Sequence, residues 1–278
     1  MSGEREEDTK WPGGRENSAN LRVERRSLSE ELSDAEARSV LATKSRRGFL
    51  LGGAAALVGV LGWRWMPDET KVAFLQKIFR FNENLTSAFY RPAHLAAEFP
   101  AEKITRPARV NGMLGIETDV DLAAWRLNIG GIPQRDEDLV LTMEDIHRLP
   151  KSEYITEFKC IEGWSTIVQW TGPKFSDLVA AFTPWRSPEE MPPYVSLATP
   201  DGAYFVGWDT PSIMHPQTLL VYEMNGEVLT SKHGAPLRLA SPTKYGIKQL
   251  KRIGRIDFTN ARPQDYWANE GYDWYSGL

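Results

Sequence analysis

Phe158-Lys159-Cys160-Ile161-Glu162-Gly163-Trp164-Ser165 is the stretch on which the reading of the fold turns. Upstream of it, Tyr154 to Cys160 alternates in the manner of a β-strand, and Gly163 then signals a turn. The cysteine therefore stands where a strand ends and a loop begins, the place where a rigid scaffold holds a reactive group within reach of a ligand. Cys160 is the one cysteine among 278 residues, so intramolecular disulfides, Cys-rich zinc sites and Cys-ligated iron–sulfur clusters are excluded. A lone cysteine is commonly an inert core residue. As a thiolate it is also a soft anionic metal donor, and as a nucleophile it would need a base. His147, His215 and His233 are present, but none stands in a Cys/His hydrolase pattern.

Elements on either side are short. Val72, Leu75, Ile78 and Phe79 predict a helix over 71–81 that gives way to a loop at Asn82 to Asn84. Leu122 to Asn128 reads as a strand before Gly130-Gly131, and Thr142 with Asp145 has capping-box spacing, opening a short helix that Pro150 ends. Phe175 to Phe182 reads as a helix, with strands at Tyr194 to Ala198, Tyr204 to Trp208 and Ile253 to Phe258. Leu219 to Met224, followed by Asn225-Gly226 and Glu227 to Leu229, is the strongest hairpin signal. Without a steady βαβ period, the expected class is a mixed α+β domain rich in loops, occupying residues 67–278.

The region before it is of another kind. Residues 1–44 are rich in Glu, Arg, Ser, Asp and Asn and too poor in bulky apolar groups to offset their ordering entropy, so a disordered tail is expected, with one possible short helix at Ser27 to Leu41. Within 45–66, Ser45-Arg46-Arg47-Gly48-Phe49-Leu50 precedes a charge-free run from Leu51 to Gly62, then Trp63-Arg64-Trp65. Paired arginines before such a run resemble a twin-arginine export signal. No small-x-small site follows; retention as a membrane anchor through residues 49–66 and cleavage are both open, and the 15 residues from Phe49 to Trp63 fall short of the roughly 20 that span a bilayer. The expected location is periplasmic or otherwise outside the cytoplasm.

A second cluster lies downstream, in His233-Gly234-Ala235-Pro236-Leu237-Arg238-Leu239 and Pro242 to Lys251, which includes Lys244, Lys248, Gln249 and Lys251. Small residues allow close backbone approach, and Arg offers a bidentate fork to phosphate, so the pattern reads as an anion site or as a solvated basic loop. With 33 Lys and Arg against 37 Asp and Glu and a net charge of −4, the chain as a whole has no nucleic-acid footprint.

Taken together, the two clusters closely resemble the sulfite-oxidase superfamily of molybdopterin enzymes, nearest to its bacterial twin-arginine-exported branch of protein-methionine-sulfoxide reductases. The resemblance covers roughly residues 80 to 268 and rests on Cys160-x-Glu162-x-Trp164-Ser165, Gly234-Ala235-Pro236-x-Arg238 and Lys244-Tyr245-Gly246-x-Lys248. It implies a Mo-molybdopterin cofactor with Cys160 as metal ligand and Arg238 on the pterin phosphate. It further implies cofactor contacts from Glu162, His233, Lys248, Gln249 and Lys251, from Asn82 or Asn84 in a loop before the cysteine, and from Thr199 after it. It implies oxygen-atom transfer on an oxo-substrate, small or protein-bound, with reduction of an S-oxide preferred, sulfite oxidation as the alternative, and a non-catalytic membrane-tethered scaffold as the third reading. Without a Cys-x-x-Cys-His haem motif, electrons are expected from a separate partner, such as a membrane haem or quinone-linked protein, and the export machinery is the other expected partner. Arg106, Arg109 and Arg186 cannot be placed by pattern, and the aromatic tail from Tyr266 to Trp274 is expected to cover the core rather than shape a mouth.

Overall fold

A computed structural model describes residues 52, 53, 56, 57 and 59–278, so the paired arginines expected to form an export signal and the tail helix expected at Ser27 to Leu41 lie outside the described residues. The chain divides after Pro67, and Asp68–Leu278 forms one compact unit. In the preceding unit, residues 59–65 are helical and exposed. Among the described residues no helix is long and apolar enough to cross a membrane.

The larger unit opens with α1 (Asp68–Phe89). The loop expected at Asn82 to Asn84 is absent, because both asparagines are helical. Neither Gly nor Pro interrupts the segment before Arg91-Pro92, and an asparagine costs a helix only a few tenths of a kcal/mol, roughly, which the longer run absorbs.

Three sheets follow. The largest has the order β2-β1-β11-β5-β6, from β1 (Leu127–Gly130), β2 (Leu139–Leu141), β5 (Tyr194–Ala198), β6 (Phe205–Asp209) and β11 (Arg255–Thr259). Only β1 and β11 run parallel in it. The strand expected from Leu122 is confined to β1, since residues 122–124 form a turn. The second sheet, β3-β4-β8-β9, joins β3 (Ser152–Lys159) and β4 (Ser165–Gly172) to β8 (Glu223–Met224) and β9 (Glu227–Val228), and β7 (Leu219–Val221) pairs with β10 (Arg238–Ala240) in a third. Asn225 and Gly226, at φ 55° and 83°, make the primed turn that an Asn-Gly hairpin requires. The short helices are α2 (Met143–His147), with the Thr142/Asp145 capping box formed, α3 (Phe175–Phe182), α4 (Thr210–Ile213) and α5 (Tyr266–Asn269).

Two apolar clusters result. Leu127, Ile129, Phe175, Leu178, Val195, Trp208 and Ile256 belong to the larger. Phe158, Cys160, Val168, Trp170, Leu219 and Val221 form the smaller. Thr156, Phe158 and Cys160 are buried while Glu157 and Lys159 are not, so the period of two along β3 carries the thiol inward one residue past the strand's end.

Candidate active site

Eight consecutive residue pairs hold β3 to β4, which makes the platform under Cys160 rigid. Past it the chain turns within four residues: Gly163 N donates to Cys160 O at 3.1 Å, Cys160 N donates to Trp164 O at 2.9 Å, and Gly163 takes φ 89°. The turn brings the Glu162 carboxylate to 3.8 Å from Cys160 Sγ, and the Trp164 indole N–H fixes that carboxylate at 2.9 Å. Asn111 Nδ2 reaches the same sulfur from the other side at 3.9 Å.

A cavity of about 190 Å³ opens over the thiol, lined by Asn111, Tyr204, Arg238, Gln249, Lys251 and Trp267 among others. A narrow extension adds Arg109, Thr166 and His233. Burial pushes the Cys160 thiol up, which suppresses nucleophilic thiolate chemistry and suits a sulfur that a bound metal would hold deprotonated. Among the described residues no three His, Cys, Asp or Glu side chains converge as a metal cluster. Any metal beside Cys160 therefore takes most of its donors from a non-protein ligand.

The far wall is cationic and unpaired. Arg238 is buried; its guanidinium donates to His233 O at 3.0 Å and lies 4.7 Å over the Trp170 ring, but among the described residues it meets no carboxylate. Burial lowers its pKa to about 10, still charged at neutral pH. Lys251, brought down to about 7 by burial and then by Arg238, donates to the carbonyls of Asn111, Gly112 and Lys232 and so ties the 111–112 loop to the site. His233 is lowered by burial and by Arg238, and its Nδ1 pairs with the Thr230 hydroxyl at 2.9 Å. Gly234, at φ 102°, lets the chain pass where a Cβ would stand 2.8 Å from Lys251 Cβ.

Buried side-chain polar atoms nearly always find partners. Among the described residues five such atoms are buried without a hydrogen-bond partner: Asp209 Oδ1, which faces Lys244, and Thr166 Oγ1, His233 Nε2, Arg238 Nε and Gln249 Oε1, and these last four belong to residues lining this cavity or its extension. A guanidinium buried without a counter-charge is costly. Donors, an acceptor and an unneutralised cation together fit a polar, anionic group larger than a water, with a soft thiol at one end.

Residues 113–267 match the oxidoreductase molybdopterin-binding domain. The chain belongs to this family of molybdopterin-binding oxidoreductases. It is an enzyme domain built for the molybdenum cofactor, and the unpaired polar atoms around Cys160 are of the kind that cofactor's pterin and phosphate would satisfy. The YedZ1 protein of Azospira oryzae is 32% identical over 240 residues, covering 84% of this chain and 88% of that one. MsrP of Campylobacter jejuni, named as a protein-methionine-sulfoxide reductase catalytic subunit, is 34% identical over 169 residues, covering 55% of this chain and 56% of its own. The protein of the same name from Ralstonia nicotianae is 28% identical over 249 residues, covering 84% and 69%.

Of the residues singled out by sequence, Cys160, Glu162, Arg238, Gln249 and Lys251 line the cavity and His233 its extension. The others do not. Asn82 and Asn84 lie on α1 and line neither, whereas Asn111 is the asparagine beside the sulfur. Thr199 is occupied locally, its hydroxyl donating to Asp201 at 2.6 Å and accepting from Tyr204 N at 3.1 Å. Lys248 is fully buried, 2.5 Å from Asp265 Oδ2 and 2.6 Å from Trp274 O, and its side chain holds the C-terminal segment rather than the cavity. Arg109 stacks on Trp164 at 4.1 Å, while Arg106 bonds Asn225 O and Arg186 bonds Thr183 O. The tail divides: Trp274 is buried, but Trp267 and Tyr272 line the cavity. Sequence reasoning missed Asn111, although Asn111-Gly112 is itself a turn signal.

Proposed function

We propose that this chain reduces an S-oxide of the methionine sulfoxide type outside the cytoplasm, with Cys160 as the protein ligand to molybdenum. The single observation that carries the reading is the convergence, on one cavity, of the Cys160 thiol with the unpaired polar atoms of Arg238, His233 and Gln249. Arg238 and Lys251 would neutralise the pterin phosphate; His233 Nε2 and Gln249 Oε1 would satisfy the pterin's own donors and acceptors; Asn111 would flank the sulfur. When bound, the molybdenum cofactor supplies two-electron oxygen-atom transfer.

The rest of the chemistry belongs to the chain. Reduction of an S-oxide to a thioether and water consumes two electrons and two protons, and Glu162 Oε2, held by the Trp164 indole, is the carboxylate that lies 3.8 Å from Cys160 Sγ. Trp267, Tyr272, Ile161 and Leu114 give the cavity an aromatic and apolar side that accepts a methyl thioether, a group that packs well on aromatic edges. Sulfite, a small anion, gains nothing from that wall, so its oxidation is the second reading. The export signal at Ser45 to Leu50, with residues 49–66 kept as an anchor, and electron delivery by a membrane haem or quinone-linked protein complete the proposal. The names of the Campylobacter and Ralstonia relatives support the substrate class.

The test is molybdenum and pterin analysis of protein from a molybdenum-replete, export-competent host, beside assays with a reduced dye and methionine sulfoxide, and with sulfite and an electron acceptor. Wild type is expected to hold stoichiometric molybdenum and reduce the S-oxide; Cys160→Ser is expected to lose or alter the metal centre while folding normally. Faster sulfite oxidation would favour the second reading, and folded wild type without molybdenum or pterin would leave only a scaffold.

A further inference from the structure

Helix α1 is 22 residues long and buries none of them. Exposed apolar residues scattered singly need no explanation, but a contiguous patch does. Ile78, Phe81, Leu85 and Phe89 are 38, 65, 47 and 75% exposed and follow one another at spacings of three, four and four, which stacks them on one face of the helix. Other positions tie α1 to its domain: Glu83 pairs with Arg262 at 2.8 Å, and Tyr90, just past the helix, donates to Pro211 O at 3.0 Å. Arg80 falls on the opposite side of the helical wheel, while Lys77 stands at the border of the apolar face, one turn before Phe81. At the end of the helix, Leu85 and Phe89 join Leu95, Ala97 and Phe99 in lining an open cleft of about 590 Å³ whose wall also carries Arg91, Glu157 and Lys159, so the apolar face runs on into a cleft of mixed character.

We propose that this face of α1 lies in a lipid surface. Chain connectivity argues for that occupant. Asp68 follows Trp65, which is 80% exposed, by three residues, a reach of roughly 11 Å at most. Ahead of that tryptophan runs the charge-free stretch Leu51 to Gly62, and tryptophans flanking such a run settle at the membrane–water boundary. An anchor held there delivers the start of α1 to the interface. A helix with aromatic and aliphatic groups on one face and polar and charged groups on the other is the kind that lies in that plane, its apolar side among the acyl chains. Lys71, two turns before Ile78, is the charged residue at the N-terminal end of this face, and it is paired with Asp68 at 2.8 Å. The inference rests on the anchored reading of residues 49–66, and it assigns α1 a second, independent contact that fixes the catalytic domain against the bilayer.

The experiment uses the full cofactor-loaded chain, labelled with a nitroxide at Leu61→Cys, Phe81→Cys or Arg80→Cys, since the native Cys160 is buried. Accessibility to oxygen and to a water-soluble nickel chelate is measured with and without phosphatidylethanolamine–phosphatidylglycerol vesicles. The expected result is a several-fold higher oxygen-to-nickel ratio at position 81 than at position 80, appearing only with vesicles. Equal, aqueous values at 80 and 81 while position 61 reads as lipid would overturn the inference and leave the anchor standing. A lipid signal at 81 with an aqueous one at 61 would support α1 and remove the anchor; aqueous values at both remove the two together. Shielding of position 81 from both reagents without vesicles would mean that protein covers the face, which also overturns the inference.

Discussion

Arg238 shows at the scale of one residue how a cofactor site differs from a core. Its guanidinium is buried and, among the described residues, faces no carboxylate and leaves Nε without a partner. Cofactor-free protein therefore carries a desolvation cost that only an anion relieves. Arg238→Met is expected to leave the melting temperature of cofactor-free protein unchanged or higher, while cutting retained molybdenum at least tenfold, a loss of about 1.4 kcal/mol or more in cofactor binding. Calorimetry beside metal analysis checks both halves; a large drop in melting temperature would show that Arg238 supports the fold instead. Lys251 makes a pH-dependent companion. At about 7 its pKa leaves it half protonated at neutral pH, and an anion placed against it raises that value, so anion binding takes up a proton. Arg238 stays charged throughout, and His233 is lowered below its usual 6.5 and stays largely neutral above that pH. Sulfate, which does not itself titrate here, should bind cofactor-free protein more tightly at pH 6 than at pH 8, and Lys251→Gln should flatten that dependence in a calorimetric titration.

At the scale of elements, the cavity wall depends on how the C-terminal segment is fastened. Asp265 caps α5 by accepting from Ala268 N at 3.1 Å, accepts from Gly207 N of β6 at 3.1 Å, and pairs with Lys248, all in near-complete burial. Lys244 is a second buried cation, 2.7 Å from Asp209 and 3.3 Å over the Tyr275 ring, and burial brings it down to about 8. The Lys248–Asp265 pair holds the start of α5, and with it Trp267, against the domain, while Lys244 fastens the chain further on by donating to Tyr275 O. Asp265→Asn strands the Lys248 charge and should cost about 3–5 kcal/mol, read as a shift in denaturant midpoint. Adding Lys248→Met should recover part of that loss, because the buried charge goes with its partner. If the double variant is less stable than Asp265→Asn alone, the pair contributes through packing, not charge.

Over the whole molecule, most local elements were legible in the chain. Alternation along Tyr154 to Cys160, the Thr142/Asp145 cap, the Phe175–Phe182 helix and the Asn225-Gly226 turn depend on neighbours a few residues away, and each formed as read. The extent of α1 was misjudged because asparagine is a weak stop, and Leu122 to Ala124 because apolar residues before a strand look like strand. Cys160, Glu162 and Arg238 announced themselves through residue type and spacing, since a soft donor and a phosphate fork admit few substitutes. By itself the sequence determined the chemistry on offer: one thiol at a strand end, a glycine-backed arginine, and the family to which they belong. Only the tertiary structure decided which groups face the cavity. Asn111 reaches Cys160 from 49 residues away, whereas Lys244 and Lys248, in the same basic run as Lys251, turn inward to Asp209 and Asp265. A lysine's charge is written in the chain, but whether it meets a carboxylate or waits for a ligand depends on which distant segment packs against it, and spacing along one strand or loop carries no record of that.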